Sequence, residues 1–159
     1  MKTIGITGGV GAGKSTVLAY LEEKYNAFVI QADEVGHIVM APGQECYQPV
    51  IDLFGKDVIK NDKTIDRKQV SDVVFGNELM RQSLDAIIHP AVKTYILEEI
   101  RKQRQAGCRL LVIEAALLLE EKYDAFCDQV WYVHTDQEIR IERLMKSRGY
   151  TREKALSII

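Results

Sequence analysis

Short apolar runs alternate along the chain with longer segments in which apolar residues recur at helical spacing. The runs at Thr3 to Thr7, Ala27 to Gln31, Leu110 to Ile113 and Gln129 to His134 each predict a strand. The run LLVI at 110–113 is uniformly apolar, as expected of a central strand that is covered on both faces. Helical spacing follows the first strand over Ser15 to Lys24. This alternation favours an α/β fold with a mainly parallel sheet.

A long segment between the second and third of these strands, Asp33 to Gln105, has a mostly helical pattern. A crossover between parallel strands needs about a dozen residues, so the segment is far longer than a connection requires. Glycine and proline are expected to interrupt its helices at Pro42-Gly43, Phe54-Gly55, Gly76-Asn77 and His89-Pro90. The extra length predicts an inserted helical region that binds a substrate.

Two four-residue patterns predict where further helices begin. Asp66 to Gln69 and Thr135 to Glu138 both have the spacing of a capping box, in which the first side chain caps the helix. We therefore expect helices directly after Asp66 and directly after Thr135. The last nine residues, TREKALSII, begin another amphipathic helix.

Composition narrows the classes of function. The chain has 159 residues, enough for one domain with a substantial core. Its net charge of −2 gives no electrostatic basis for binding nucleic acid or an anionic membrane. There is no signal-peptide pattern, no span-length apolar run and no C-x-x-C pair among the three cysteines. We expect a cytoplasmic protein with reduced thiols, as a monomer or a weak homo-oligomer.

The strongest chemical signal is the glycine cluster GGVGAGKST at Gly8 to Thr16, directly after the first strand. Its Gly-x-x-x-x-Gly-Lys-Ser spacing matches the P-loop pattern, in which backbone N–H groups and a helix N-terminus surround phosphates. In this pattern Lys14 reaches the β- and γ-phosphates of a nucleotide, and the Ser15 hydroxyl is a ligand of Mg²⁺. The sequence therefore predicts a nucleotide phosphate site.

Acidic residues just after the predicted strands are the next candidates, because ligands of open parallel sheets bind beyond the carboxyl ends of the strands. Asp33 follows the second strand, where it could be a base that accepts a proton from an attacking hydroxyl, a helix N-cap, or both, since the two roles are not exclusive. Glu114 ends the LLVI run and is predicted to help hold Mg²⁺, directly or through water. The alternative for Glu114 is a charged residue that merely closes a strand.

The basic residues after the fourth strand and the tetrapeptide at Asp33 each allow two functional interpretations. Four basic residues lie on the predicted helix after the fourth strand: Arg140, Arg143, Lys146 and Arg148. Arg140 and Arg143 share a face, and they either neutralise charge on a transferring phosphoryl group or belong to a solvated surface. Asp33 to Gly36 also spell D-x-x-G, a phosphate-sensing element of GTPases, which raises a nucleotide switch as a different class of function. The chain has no N-K-x-D to read a guanine base.

With these motifs together, the sequence resembles the dephospho-CoA kinase family over nearly its whole length. The resemblance rests, in order, on IGITGGVGAGKST, VIQADEVGH, IDRKQV, MRQSLDAIIHPAV, VIEAALLLEEKYD and RLMKSRGYT. That family moves the γ-phosphate of ATP to the 3′-hydroxyl of the dephospho-CoA ribose, the last step of coenzyme A biosynthesis. The resemblance implies Mg²⁺ as cofactor, with ATP and dephospho-CoA as substrates. It also implies a P-loop NTPase three-layer α/β/α sandwich with a parallel sheet, a helical insertion and a small lid.

The resemblance also implies a division of the single kinase domain and a set of site residues. The core is expected at about 1–32 and 107–135, the helical CoA-binding insertion at about 33–106, and the lid at about 136–159. The implied ATP-binding residues are Gly11, Ala12, Gly13, Lys14, Ser15 and Thr16. The implied catalytic residues are Asp33, Lys14 and Arg143, and the implied metal ligands are Ser15 and Glu114. The implied substrate-binding residues are Asp33, Arg67, Arg81 and His89.

Departures from the family pattern accompany this likeness. Gln31 replaces the first acid of the usual D-A-D, and Glu114 stands where Asp is commoner. The lid arginine at Arg148 is displaced by one position, which turns a helical side chain by about 100°. A further strand and a segment that contacts adenine are expected to be absent. The alternatives are another small-molecule P-loop kinase, such as one for nucleoside monophosphates, and the nucleotide switch.

Overall fold

A four-stranded parallel sheet forms the centre of the structure, which is a computed structural model describing all residues from 1 to 159. The strands are β1 (Lys2–Thr7), β2 (Phe28–Gln31), β3 (Leu110–Glu114) and β4 (Gln129–Tyr132). Their order in the sheet is β2-β3-β1-β4, and every pair is parallel. The predicted α/β fold with a parallel sheet is confirmed. The fourth strand ends two residues earlier than the apolar pattern predicts.

The register of the two central strands explains their composition. Ile4 lies opposite Val112, and Gly5 lies opposite Ile113. The strand β3 is buried along nearly its whole length, as its uniformly apolar run predicts. Glu114 is the last residue of β3, where it lies between Ile6 of β1 and Gln31 of β2. A carboxylate is thereby placed at the carboxyl end of the sheet.

The chain also contains seven helices and two short 3₁₀ turns, the latter at Lys56–Val58 and Tyr123–Phe126. The helices are α1 (Lys14–Tyr25), α2 (Ala32–Val39), α3 (Tyr47–Phe54), α4 (Arg67–Val74), α5 (Glu78–Gln105), α6 (Gln137–Arg148) and α7 (Arg152–Ile158). No helix combines the length and the apolar character that crossing a bilayer requires.

The chain forms two compact units. One consists of Met1–Gln31 and Arg101–Ile159, and the other of Ala32–Ile100. In the first unit α1 packs on the sheet, through a cluster of Ile4, Ile6, Leu18, Leu21, Ala27 and Val112. A second cluster in that unit joins α6 and α7 through Ile141, Leu144 and Ala155, and Val10 packs against it. The expected functional division into core, insertion and lid stays a prediction.

In the helical unit, the predicted helix interruptions are found at all but one position. The helix α3 ends at Phe54 with Gly55 as its C-cap, and Gly76-Asn77 precede α5. Pro90, however, lies inside the continuous helix α5, so the predicted interruption at His89-Pro90 is wrong. Proline removes the N–H that would bond to the carbonyl of Ala86. Both residues are exposed, so water can take the place of that donor.

One of the two predicted helix caps is correct. The side chain of Asp66 accepts hydrogen bonds from the backbone N–H groups of Lys68 and Gln69 at the start of α4. The cap predicted at Thr135 is wrong, because α6 begins one residue later with Asp136 at its N-cap and no side-chain cap bond. The Thr135 hydroxyl instead donates to the backbone carbonyl of Ala12, at 2.8 Å.

Candidate active site

The glycine loop connects the end of β1 to the start of α1, as the motif predicts. Gly8 has φ 147°, and a Cβ built on it would collide with the backbone carbonyl oxygen of Val133. Gly13 is the N-cap of α1 and has φ 101°, in the left-handed region. Residues with a Cβ rarely adopt such a conformation. Close backbone approach and left-handed geometry therefore explain these two glycines.

Several backbone N–H groups of this loop remain available to a ligand. The N–H of Ala12 donates to the Gly9 carbonyl at 3.2 Å, and that of Thr16 donates to the Gly13 carbonyl at 3.1 Å. No acceptor within the protein pairs with the N–H groups of Gly11, Gly13, Lys14 and Ser15. Free donors at the start of a helix, together with the helix dipole, favour an anion such as a phosphate.

Lys14 brings a cation to the same place. Its Nζ donates to the Gly8 carbonyl at 2.8 Å and lies 3.6 Å from Oε1 of Glu114. Both side chains are largely buried, with 17% and 11% of their surfaces exposed. Glu114 closes the strand β3 and is buried beside the loop, and its role in holding Mg²⁺ stays a prediction.

The oxygen donors at this end of the sheet fit Mg²⁺. The Glu114 carboxylate lies beside the phosphate loop, and Ser15 is exposed in the first turn of α1. No three His, Cys, Asp or Glu side chains are grouped to hold a metal ion. Mg²⁺ typically binds through one or two protein oxygens, substrate phosphates and several waters, so it needs no such cage.

Side chains before and within α6 contact the outer side of the loop. Nη1 of Arg143 donates to the carbonyls of Gly11 and Ala12, at 3.3 and 3.1 Å. Nε of Arg140 donates to the carbonyl of Val10 at 2.8 Å. These contacts contradict the alternative of a purely solvated basic face. Sequence reasoning weighed Arg140 as a contact of the phosphoryl group, but the set of implied site residues includes neither Arg140 nor Thr135. The three-residue spacing of Arg140 and Arg143 was a usable signal for the former.

The helical unit carries the other predicted residues, on separate elements. Asp33 is the second residue of α2 and is exposed, so the alternative of an N-cap is wrong. The D-x-x-G tetrapeptide that begins at Asp33 lies within this helix, where Gly36 is buried. Arg67 is the first residue of α4, and Arg81 and His89 lie on α5.

Carboxylates form hydrogen bonds with Arg81 and lie close to His89. Arg81 donates to Glu78 through Nε and Nη2, at 2.9 and 2.6 Å, and to Asp85 through Nη1 at 2.9 Å. The hydrogen bonds from Arg81 lower the pKa of Glu78, and Glu78 raises the pKa of Arg81. Nε2 of His89 lies 3.6 Å from Oδ1 of Asp85. Arg81 is therefore held in a fixed direction along α5.

Known proteins match this arrangement of loop, sheet and helices. The sequence profile of the dephospho-CoA kinase family matches residues 2–159. The dephospho-CoA kinase of Carboxydothermus hydrogenoformans is 38% identical over 156 residues, which are 98% of this chain and 75% of that protein. The dephospho-CoA kinase of Geobacillus kaustophilus is 38% identical over 153 residues, 96% of this chain and 76% of that protein. The chain belongs to the dephospho-CoA kinase family.

Solved structures of other proteins share the fold of this chain. A crystal structure of a Thermus thermophilus protein, 27% identical, superposes with a TM-score of 0.81 over 99% of this chain and 78% of its own. A dephospho-CoA kinase from Campylobacter jejuni, 24% identical, shares the fold with a TM-score of 0.68 over 99% of this chain and 78% of its own. Membership makes the chain an ATP-dependent kinase, and the alternative readings as a nucleoside monophosphate kinase or a switch are not favoured.

Proposed function

We propose that this kinase transfers the γ-phosphoryl group of ATP to the 3′-hydroxyl of the dephospho-CoA ribose. The observation that carries the proposal is the phosphate loop, with four free N–H groups beside the buried pair of Lys14 and Glu114. Family membership identifies dephospho-CoA as the acceptor.

The loop residues Gly11 to Thr16 bind the ATP phosphates in this proposal. Phosphoryl transfer places negative charge on the phosphoryl oxygens, and catalysis is mostly positioning and charge stabilisation. The backbone N–H groups and Lys14 supply positive charge to the β- and γ-phosphates, and Arg143 supplies more from the side of α6. Ser15 and Glu114 would hold Mg²⁺, which when bound neutralises phosphate charge.

Asp33 is the proposed base for the attacking hydroxyl. It lies two residues beyond Gln31, which is paired in register with Glu114. A ribose hydroxyl is a poor nucleophile until a carboxylate accepts its proton, and an Asp has this role in other kinases. Exposure at the start of α2 leaves the Asp33 carboxylate open to a substrate.

The remaining assignments are part of the same proposal. Arg67, Arg81 and His89 bind dephospho-CoA on the helical insertion, where Arg81 exchanges its bonds to Glu78 and Asp85 for bonds to an anionic substrate. We place the enzyme in the cytoplasm because all three cysteines are free thiols. A monomer or weak homo-oligomer without nucleic acid or membrane partners agrees with its net charge of −2.

The test is an acceptor panel combined with one conservative substitution. Purified enzyme receives Mg²⁺-ATP with dephospho-CoA, with a nucleoside monophosphate or with water alone, and phosphorylated product is followed. We expect transfer to dephospho-CoA only. Asp33→Asn keeps the side-chain size but accepts a proton poorly, so kcat should fall by about 10²–10⁴-fold with unchanged ATP affinity.

The neighbouring carboxylate provides the matched control. Glu34 lies on the same exposed turn of α2, where it contacts only His37, and Glu34→Gln should keep normal kcat. Full transfer by Asp33→Asn would disprove the base assignment. A preference for another acceptor would disprove the substrate.

A further inference from the structure

The phosphate loop is held from outside by its backbone carbonyls. Nε of Arg140 bonds to the carbonyl of Val10, and the Thr135 hydroxyl bonds to that of Ala12, both at 2.8 Å. The side chain of Val10 packs against the cluster of Ile141, Leu144 and Ala155 that joins α6 and α7. These contacts join positions more than a hundred residues apart in sequence.

Each of these carbonyls shares a peptide group with one of the free N–H donors. A trans peptide is planar, so its C=O and N–H point in opposite directions. The carbonyl of Val10 therefore sets the direction of the Gly11 N–H, and the carbonyl of Ala12 sets that of the Gly13 N–H. Neither N–H has an acceptor within the protein. A donor that holds the carbonyl on one side thus aims the N–H toward the other side.

The guanidinium of Arg140 also lies directly against Gly9. A Cβ built at Gly9 would lie 2.7 Å from Cζ of Arg140 and would also collide with Nη2. Gly9 has no positive φ, so its backbone would accept alanine. The guanidinium therefore occupies the space that a side chain at position 9 would need.

We propose that Arg140 is a positioning residue for the phosphate loop: it fixes the Val10–Gly11 peptide so that the Gly11 N–H faces the phosphates of the nucleotide. Thr135 acts in the same way on the Ala12–Gly13 peptide. The proposal rests on the proposed function only in taking this loop as the phosphate site. Arg143 also donates to the Ala12 carbonyl, at 3.1 Å, but it is assigned in addition to the phosphoryl group, whereas Arg140 acts through the loop alone.

The test measures phosphate affinity separately from acceptor affinity. Arg140→Met keeps much of the aliphatic bulk and removes the donor. Lys146→Met removes a cation from the same helix at an exposed position that contacts no part of the loop. Isothermal calorimetry gives Kd for Mg²⁺-ATP, for inorganic tripolyphosphate and for dephospho-CoA. We expect Arg140→Met to weaken ATP and tripolyphosphate about tenfold, as loss of a charge-assisted hydrogen bond implies. Dephospho-CoA binding should be unchanged.

A double-mutant cycle with Gly9→Ala tests the contact directly. Alanine at position 9 should displace Arg140 and weaken tripolyphosphate binding by a similar factor, with little further loss when Arg140→Met is already present. If Arg140→Met fails to fold, Gly9→Ala alone tests the proposal, since its melting temperature should stay near that of the parent enzyme.

The proposal is overturned by unchanged tripolyphosphate affinity in Arg140→Met or Gly9→Ala. It is equally overturned if Lys146→Met weakens binding as much, because net charge alone would then explain the loss. Full additivity in the cycle would also reject it. None of these outcomes depends on transfer to dephospho-CoA, so failure of the acceptor assignment would be recognised separately.

Discussion

Lys14 has two oxygen neighbours, the Gly8 carbonyl at 2.8 Å and the Glu114 carboxylate at 3.6 Å. Glu114 is the last residue of β3, and Gly8 directly follows the adjacent strand β1. The ammonium group therefore lies at the carboxyl end of the sheet, where open parallel sheets bind their ligands. Partial burial strengthens its interaction with any phosphate beside it, since water screens the charge less.

Replacing this one side chain tests its contribution. Lys14→Ala should lower kcat/KM for ATP by about 10²–10³-fold, the typical cost of losing one preorganised charge-stabilising donor. Lys24→Ala, at the exposed end of the same helix α1, is the matched control and should leave steady-state kinetics unchanged. Near-normal turnover in Lys14→Ala would remove this lysine from the mechanism.

An aspartate precedes both α4 and α6, but only the one before α4 caps its helix. Asp66 caps α4 with two backbone hydrogen bonds, at 3.0 and 3.3 Å. Asp136 occupies the same position before α6 and makes no side-chain cap bond. The start of α6 is secured instead by Thr135 and Arg140, which bind the phosphate loop.

This difference predicts unequal costs for two identical substitutions. Asp66→Ala should lower the free energy of unfolding by about 1 kcal/mol, because two N–H groups of α4 lose their acceptor. Asp136→Ala should change it by less than about 0.5 kcal/mol, since its exposed side chain caps nothing. Urea denaturation at neutral pH measures both. Equal losses would show that the two caps are equivalent.

Two weak acids in the segment between β3 and β4 link stability of the whole molecule to alkaline pH. Burial raises the pKa of Tyr123 from 10.0 to about 12 and that of Cys127 from 9.0 to about 11. Folding therefore favours the neutral forms. The stabilising contribution of Tyr123 is complete below pH 10.0 and that of Cys127 below pH 9.0. Each contribution is lost as the pH rises through the folded pKa of its group.

We expect the stability advantage of the parent enzyme over Cys127→Ala to shrink as the pH rises from 9 to about 11. Urea unfolding at intervals across this range measures the difference. A constant difference for Cys127→Ala across this range would show that its thiol titrates alike in both states.

The sequence by itself determined the features that depend on short spacing. Apolar runs specified the four strands to within two residues. Burial explains the apolar runs of the central strands β1 and β3, whereas β4 is exposed. The glycine loop and Lys14 were predicted because turn geometry and phosphate chemistry admit few residues there. The cap at Asp66 likewise depends only on its nearest neighbours. The roles of Asp33, Arg67, Arg81 and His89 stay predictions.

Only the tertiary structure decided which of two competing partners a polar side chain takes. Thr135 fits a capping box, yet its hydroxyl binds Ala12, 123 residues away in sequence. Arg140 fits a solvated helix face, yet it binds Val10, 130 residues away. Local patterns cannot rank such alternatives, because both offer similar hydrogen bonds and the fold alone brings the distant carbonyl within reach. Pro90 stays inside α5 for a related reason: tertiary packing of Ala91, Val92 and Ile96 outweighs a local preference to end the helix.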